Sequence, residues 1–138
     1  MFELDPRLHN DTIMMGDFPM SRLLLMNDST YPWFILVPRR KEVTELYQLE
    51  KDDLCELWQE SVLLGKWMSV AFQFDKLNVA TLGNVVSQLH IHHVGRSRND
   101  PCWPGPMWGQ HPPKAYAPEE IEKLTQQVRA DLAGSLGD

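Results

Sequence analysis

Apolar residues along this chain form short runs and one long stripe, and together they predict the order of its secondary structure. Two runs, residues 21–27 and 32–40, flank the turn-forming sequence DSTY and are typical of neighbouring antiparallel strands. Residues 52–74 instead repeat apolar side chains at three- and four-residue steps, which predicts a long helix. Two further strand-like runs follow at 76–83 and 87–96. Strands before and after one helix favour an α+β fold with an antiparallel sheet.

The last third of the chain divides into an irregular segment and a helix. Residues 97–117 contain five prolines, and the segment is too long for a passive connector. Residues 118–133 predict a C-terminal helix, because a proline opens it and acidic residues follow in its first turn. We therefore expect one domain over 1–138, with its core at about 20–96.

Composition and charge narrow the classes of protein. With 43% hydrophobic and 23% charged residues, the chain has the composition of an ordinary globular protein. Its formal net charge of −6 argues against general nucleic-acid binding, which depends on neutralising phosphates, but it allows one small nucleotide ligand. No apolar run approaches the roughly 18 residues of a membrane helix. With only two cysteines and a polar N-terminus, we expect a cytoplasmic protein with no membrane or nucleic-acid partner.

Three of the five histidines lie within SQLHIHHVGR, residues 87–96. Side chains alternate between the two faces of a strand, so one face would carry Gln88, His90 and His92. The other face would carry His93 beside two apolar core residues. We therefore expect a structural role for His93 and a functional role for the pair His90 and His92.

Two kinds of chemistry are compatible with this pair. Histidines two residues apart on a strand can supply two metal ligands, but a metal site generally needs a third, and no carboxylate stands at a fixed ligand spacing. Alternatively, one imidazole attacks phosphorus while its neighbours orient it and stabilise charge. Spacing alone does not separate the two possibilities.

The same stretch resembles the motif of the histidine-triad (HIT) family, in which three histidines alternate with apolar residues and an arginine often follows. Residues 83–86, Gly-Asn-Val-Val, are similar to the family's Gly-Gln-Ser/Thr-Val run, and residues 34–38, Phe-Ile-Leu-Val-Pro, to its early strand ending in proline. The resemblance extends over about 20–96. It implies a HIT-like α+β fold, with an antiparallel sheet, a long central helix and a C-terminal helix, assembled as a homodimer.

By this resemblance the chain is a hydrolase acting on the α-phosphate of nucleotide conjugates, either dinucleoside polyphosphates or nucleoside phosphoramidates. His90, at the middle histidine, is the candidate nucleophile and would form a nucleotidyl-histidine that water then hydrolyses. His92 would contact phosphate oxygens or orient the site. No cofactor is implied, and no metal at the nucleophile. The substrate would be held by Asn27, Asn78, Asn84, the backbone N–H of Val85, and Arg96.

The sequence also departs from the family pattern. Gln88 replaces the first triad histidine, and glutamine exchanges hydrogen bonds but does not titrate near neutral pH. Trp33 stands where the family often has another histidine. Two alternatives therefore remain: a nucleotide-binding protein without turnover, or a metal-dependent hydrolase with His90 and His92 as ligands. Transferase activity also remains open, but Gln88 does not by itself indicate it, since relatives that transfer nucleotides typically carry their glutamine at the third triad position.

The proline-rich segment carries two tryptophans, Trp103 and Trp108. It follows the motif directly, so it is placed to cap the site, and an aromatic face can also stack on a base. We favour capping or packing over contact with a base.

Overall fold

An antiparallel sheet of five strands organises residues 1–137, the part of the chain that this computed structural model describes. The strands are β1 (Thr12–Asp17), β2 (Ser21–Met26), β3 (Trp33–Pro38), β4 (Lys76–Thr81) and β5 (Ile91–Arg96). The helices are α1 (Pro6–Asp11), α2 (Lys51–Phe72) and α3 (Pro118–Asp131), and a short 3-10 turn covers Leu46–Gln48. The strand order is β1-β2-β3-β5-β4, and each neighbouring pair is antiparallel. The predicted α+β fold is confirmed.

The long helix α2 forms because one of its stripes is apolar and its first turn is acidic. Asp52 and Asp53 lie in that first turn, where carboxylates interact favourably with the helix dipole. Its fully buried apolar side chains recur at helical spacing and belong to the main core: Leu57, Leu64 and Met68. The helix ends before Gln73, whose backbone is left-handed. None of the helices in residues 1–137 is long and apolar enough to cross a membrane.

Strand β5 lies between β3 and β4, so the histidine motif ends up inside the sheet rather than at its edge. The strand is shorter than predicted and starts at Ile91, because the backbone N–H of Leu89 donates to the carbonyl of Val43 instead of to a neighbouring strand. Gly95 lets the ring of Phe74 pack directly on the strand, since a Cβ at this position would overlap that ring. The motif is thus held by backbone pairing on both sides.

The sequence pattern does not predict α1 or β1, although both contribute to the sheet and its cover. Helix α1 is only six residues long, and the Asp5 side chain caps it by accepting the Arg7 N–H at 2.8 Å. Its buried residue Leu8 packs against Ile35 and neighbouring residues of β2 and β3. The adjacent residue Phe34 belongs to the core beneath α2, so α1 lies on the opposite face of the sheet. The N-terminal segment therefore covers part of the face that carries the histidine pair.

Candidate functional site

Two imidazoles stand side by side at the start of β5. The rings of His90 and His92 have their centroids 4.9 Å apart, and the two residues are only 5% and 6% exposed. His92 pairs with Ile35 of β3 and Ala80 of β4, which fixes its backbone in the sheet. His90 lies just before the strand. The structure thus brings together the two histidines that alternation places on one face.

His93 points to the other face, as predicted, and meets helix α2. Its Nε2 lies 2.7 Å from the hydroxyl oxygen of Ser61, and its Nδ1 lies 3.1 Å from the carbonyl oxygen of Ile91. A carbonyl only accepts, so Nδ1 carries the proton and Nε2 accepts from Ser61. Burial lowers the pKa of His93 to about 4. Both ring nitrogens are occupied inside the core, which is a structural role.

His90 is held through one nitrogen and leaves the other unoccupied. Its Nδ1 lies 2.6 Å from the carbonyl oxygen of Gln88. Because that oxygen can only accept, Nδ1 bears the proton of the neutral ring and Nε2 bears a lone pair. Within residues 1–137, no hydrogen-bond partner occupies this Nε2. This is the arrangement that a nucleophilic imidazole requires.

His92 is enclosed by aromatic rings. The indole nitrogen of Trp33 lies 3.0 Å from its Nδ1, and the ring centroid of Trp108 lies 4.9 Å from that of His92. Trp108 also meets Trp33 edge-on, at 5.6 Å between centroids. Burial, followed by the neighbouring histidines His90 and His93, lowers the pKa of His92 to about 3. The His92 ring is therefore neutral at physiological pH.

Gln88 does not point a free amide toward the histidines. Its Oε1 accepts the backbone N–H of Asp5 at 2.8 Å, and its Nε2 donates to the carbonyl of Glu3 at 2.8 Å. Both polar groups of the amide are thus used to hold the N-terminal segment. The side chain of Gln88 therefore holds the N-terminal segment, while its own backbone carbonyl orients His90.

Two cavities flank the histidine pair. The first, about 460 Å³, includes Asn27, Trp33 and His111 in its wall, together with Asn10, Asp11, Met26, Asp28, Met107, Gly109, Pro113 and Ala115. The second, about 210 Å³, is more polar and is lined by Thr44, Glu45, Thr81, Leu82, Gly83, Asn84, Ser87, Gln88, Leu89 and His90. Trp33 borders the first cavity and contacts His92, whose ring meets His90 at the second. His90 therefore borders the smaller cavity directly, and the pair is linked to the wall of the larger one through Trp33.

Some of the predicted substrate-binding residues line these cavities. Asn27 borders the first, where its Oδ1 accepts the backbone N–H of Tyr116 at 2.9 Å. Asn84 borders the second, and the neighbouring Val85 lies in the same loop with 74% of its surface exposed. Of these positions, Asn84 shares the wall of a cavity with His90.

Arg96 and Asn78 are placed differently and line neither cavity. Arg96 is 2% exposed and forms a paired contact with Asp100, at 2.7 and 3.0 Å. It also donates to Oδ1 of Asn78 at 3.2 Å and lies over the rings of Tyr31 and Trp103. The guanidinium lowers the pKa of Asp100 to about 2. These contacts anchor the start of the proline-rich segment to the end of β5.

Sequence reasoning did not assign a site role to several residues of the first cavity, namely Asn10, Asp11, Asp28 and His111. They come from both ends of the chain, and no local spacing relates them. Trp33 departs from the family pattern, but its contact with a residue 59 positions away gives no sequence signal. The sequence predicts capping or packing for Trp108, and this ring packs against His92.

The donor groups for a metal ion are limited in this part of the molecule. Within residues 1–137, no group of three or more His, Cys, Asp or Glu side chains is arranged to hold an ion. Nδ1 of His90 is bonded to a carbonyl and Nδ1 of His92 to an indole, so only the two Nε2 atoms remain as donors. Among residues 1–137, no third side chain is arranged to bind a metal ion together with these two nitrogen atoms.

The sheet order and the long helix on one face define an α+β protein, and the histidine pair lies on the opposite face of its sheet. The HIT domain family model matches residues 7–99. The chain belongs to this family. Comparison with curated protein sequences gives no match.

Solved structures show the same architecture. A histidine triad protein from Marinobacter aquaeolei VT8 is 43% identical, with a TM-score of 0.94 over 98% of both chains. A histidine triad protein from Bradyrhizobium japonicum is 37% identical, with a TM-score of 0.90 over 94% of this chain and 96% of that one. The diadenosine triphosphate hydrolase of Plasmodium falciparum, solved with cyclomarin A, is 16% identical and has a TM-score of 0.67, covering 97% and 82% of the two chains. This last likeness concerns the fold alone.

Proposed function

We propose that this protein hydrolyses nucleotide conjugates at the α-phosphate and that His90 is the nucleophile. The observation that carries the proposal is the 2.6 Å contact between Nδ1 of His90 and the carbonyl of Gln88, which leaves Nε2 with a lone pair. Attack by Nε2 forms a P–N bond, the bond from phosphorus to the leaving group breaks with its electron pair, and the leaving group takes up a proton from solvent. Water then attacks phosphorus and gives up a proton to solvent, and the P–N bond breaks to release the nucleotide and restore the imidazole.

The same carbonyl stabilises the intermediate. When Nε2 bonds to phosphorus, the His90 ring becomes positively charged while Nδ1 keeps its proton. A hydrogen bond from a charged donor is stronger than one between neutral groups, so the Gln88 carbonyl favours the charged intermediate over free His90. His92, close to His90 and neutral, supplies a donor for the phosphate oxygens. Asn84 and the N–H of Val85 supply further donors from the loop before the motif.

The two cavities suggest how a substrate would lie. The larger one, with Asn27 and Trp33 in its wall, has room for a nucleoside. The smaller one borders His90 and would take the leaving group. Among the described residues that line it there is one carboxylate, Glu45, and no lysine or arginine. A neutral or amine leaving group suits such a wall better than a polyphosphate, so we favour nucleoside phosphoramidates over dinucleoside polyphosphates.

Gln88, Asn78 and Arg96 enter this proposal as positioning residues. The amide of Gln88 orders the N-terminal segment, which provides Asn10 and Asp11 to the larger cavity. Arg96, supported by Asn78, orders the segment that carries Trp108. None of the three needs to touch the substrate in order to affect turnover.

We also propose a homodimer, as the family resemblance implies. Strand β4 is an edge of the sheet and exposes Val79, while the outer side of α2 exposes Trp58, Val62 and Val70. An edge strand with apolar residues beside an apolar helix face is a surface that a second copy can cover.

The test is a hydrolysis panel with adenosine phosphoramidate and a diadenosine polyphosphate, with and without chelator. We expect wild type to turn over the phosphoramidate faster, with no effect of chelator. His90→Ala should lose at least about a thousandfold in kcat, the scale seen when a nucleophile is removed. The matched control is His9→Ala, which removes an exposed histidine outside the pair. Mass spectrometry of wild type quenched in denaturant at alkaline pH, where the P–N bond survives, should detect one nucleotidyl group on His90.

Other outcomes select the alternatives. Loss of turnover in chelator, restored by added metal, assigns His90 and His92 as metal ligands. Nucleotide binding without turnover of any substrate assigns a binding protein. A faster rate with the diadenosine polyphosphate overturns the leaving-group preference but leaves the nucleophile in place.

A further inference from the structure

We propose that Trp33 is a positioning residue that fixes His92 as a neutral hydrogen-bond donor through Nε2 and thereby removes it from proton transfer. The proposal rests on the proposed function, in which His92 stabilises the phosphate oxygens. Trp33 stands where the family often has a histidine. A histidine there could both donate and accept a hydrogen bond, whereas tryptophan can only donate one.

The direction of one hydrogen bond carries the inference. The indole nitrogen of Trp33 lies 3.0 Å from Nδ1 of His92. An indole N–H is only a donor, so Nδ1 of His92 must accept with its lone pair. A neutral imidazole has one proton, which must therefore reside on Nε2. The tautomer of His92 follows from the identity of residue 33 and from this distance.

The surroundings of His92 also oppose its protonation. The groups packed around it are the rings of Trp33 from β3, Trp108 from the proline-rich segment, and His90 from the loop just before β5. Residue 80, its partner on β4, is an alanine. The other titratable neighbour is His93, which opposes a positive charge on His92. Among residues 1–137, no carboxylate forms a hydrogen bond or an ion pair with His92.

The packing explains why the Trp33 ring can hold this geometry. Its backbone pairs with Val94 of β5, and its ring is braced edge-on by Trp108. The donor, Trp33, thus lies on β3, which pairs with the strand that carries its acceptor His92, and the ring of Trp108 supports the indole. A flexible donor would lose more conformational freedom in forming the same bond.

As a chemical consequence, His90 and His92 have different roles in the reaction. His90 alone changes its bonding during the reaction, and His92 donates one hydrogen bond in every step. The pH dependence of turnover should then show no contribution from His92 near neutral pH.

The experiment measures the tautomer directly, by long-range ¹H–¹⁵N correlation NMR of protein labelled at its histidines. In wild type we expect His92 to carry its proton on Nε2 and to stay neutral from about pH 5 to about pH 8. In Trp33→Phe, which keeps a ring but removes the donor, both tautomers of His92 should be populated. The kcat should fall roughly fivefold to tenfold, the value of one neutral hydrogen bond, while KM changes little.

Two further variants separate positioning from packing. Trp108→Phe retains an aromatic ring beside His92 and should leave its tautomer unchanged. Trp33→His restores a possible donor, so it should recover part of kcat and add a new pH-dependent step, because the introduced imidazole titrates.

A proton on Nδ1 of wild-type His92, or a tautomer unaffected by Trp33→Phe, overturns the proposal. The NMR readout uses the free protein and does not depend on turnover. If wild type hydrolyses none of the substrates, the proposed function fails while the role of Trp33 is still decided by the spectra.

Discussion

Three histidines within four positions have different hydrogen-bond partners, and those partners determine what each ring can do. His90 donates from Nδ1 to a carbonyl and keeps a free Nε2, while His93 has both nitrogens occupied in the core. His92 faces an indole donor. At this scale the chemistry depends less on the presence of an imidazole than on which of its nitrogens is already bonded.

The buried His93 should make the stability of the protein depend on pH. Its pKa is about 4 when folded and near 6.5 as an ordinary histidine, so the unfolded chain binds more protons between these values. The free energy of unfolding should therefore be highest above about pH 6.5 and fall as pH decreases toward about 4, by up to a few kcal/mol. Buried His92 acts in the same direction. Urea unfolding at several pH values measures this effect.

The double variant Ser61→Ala/His93→Phe serves as the comparison. It removes the titrating ring and the hydroxyl that would otherwise lose its partner. We expect its stability to fall less on acidification than that of wild type, with the remaining loss due in part to His92. An identical pH dependence in both proteins would contradict the role given to His93.

At the scale of elements, β5 and the two segments that flank it act as one unit. The loop before β5 provides Gln88 and His90, and the strand itself provides His92. Arg96 at the end of the strand binds Asp100 and so fixes the start of the segment that returns over the site. A disturbance in this strand should therefore reach both cavities.

Gly95 offers a direct test of this unit. In Gly95→Ala the new Cβ would overlap the ring of Phe74, and we expect a loss of about 1–3 kcal/mol in the free energy of unfolding, as for other overpacked sites. The control is Gly134→Ala, because no atom lies within 4 Å of a Cβ placed there. Combining Gly95→Ala with Phe74→Leu should recover part of the loss. Equal stability of the two single variants would show that the ring moves aside freely.

The elements differ in how far the sequence predicts them. Helix α2 and strands β2–β5 carry regular apolar patterns, and the prediction matches them apart from their ends. Helix α1 and strand β1 are short and mixed in polarity, and residues such as Leu8 are buried only by contact with distant strands. Alternation along the predicted strand 87–96 is sufficient to place His90 beside His92. The indole of Trp33 and the wall of the larger cavity depend on contacts between distant segments, which no local pattern encodes.

At the scale of the whole molecule, the two faces of the sheet have separate tasks. One face is covered by α2 and carries most of the core together with His93, and the other holds the pair His90 and His92 beside the N-terminal segment. The outer side of α2 lies away from the histidine face, whereas the edge strand β4 contributes Thr81 to the wall of the smaller cavity. A second copy that covers this surface would therefore lie beside the smaller cavity.

The proposed homodimer can be tested by light scattering after size-exclusion chromatography. Wild type should have twice the mass of one chain at micromolar concentration. Val79→Lys places a charge on the edge of β4 and should shift the population toward monomer. Tyr47→Lys, at an exposed aromatic residue outside this surface, should remain dimeric. A monomeric wild type would exclude this assembly under the conditions used.

The separation of the two cavities also has a kinetic consequence. Under the proposed function, the departing group vacates the smaller cavity while the nucleoside is still held in the larger one by its covalent bond to His90. The first product then leaves before the second, and the empty cavity is where the next reactant approaches phosphorus. Water and any small alcohol or amine that fits there compete for the same intermediate. Whether this protein behaves as a hydrolase or a transferase is then a matter of acceptor concentration and fit, rather than of the residue at the first triad position.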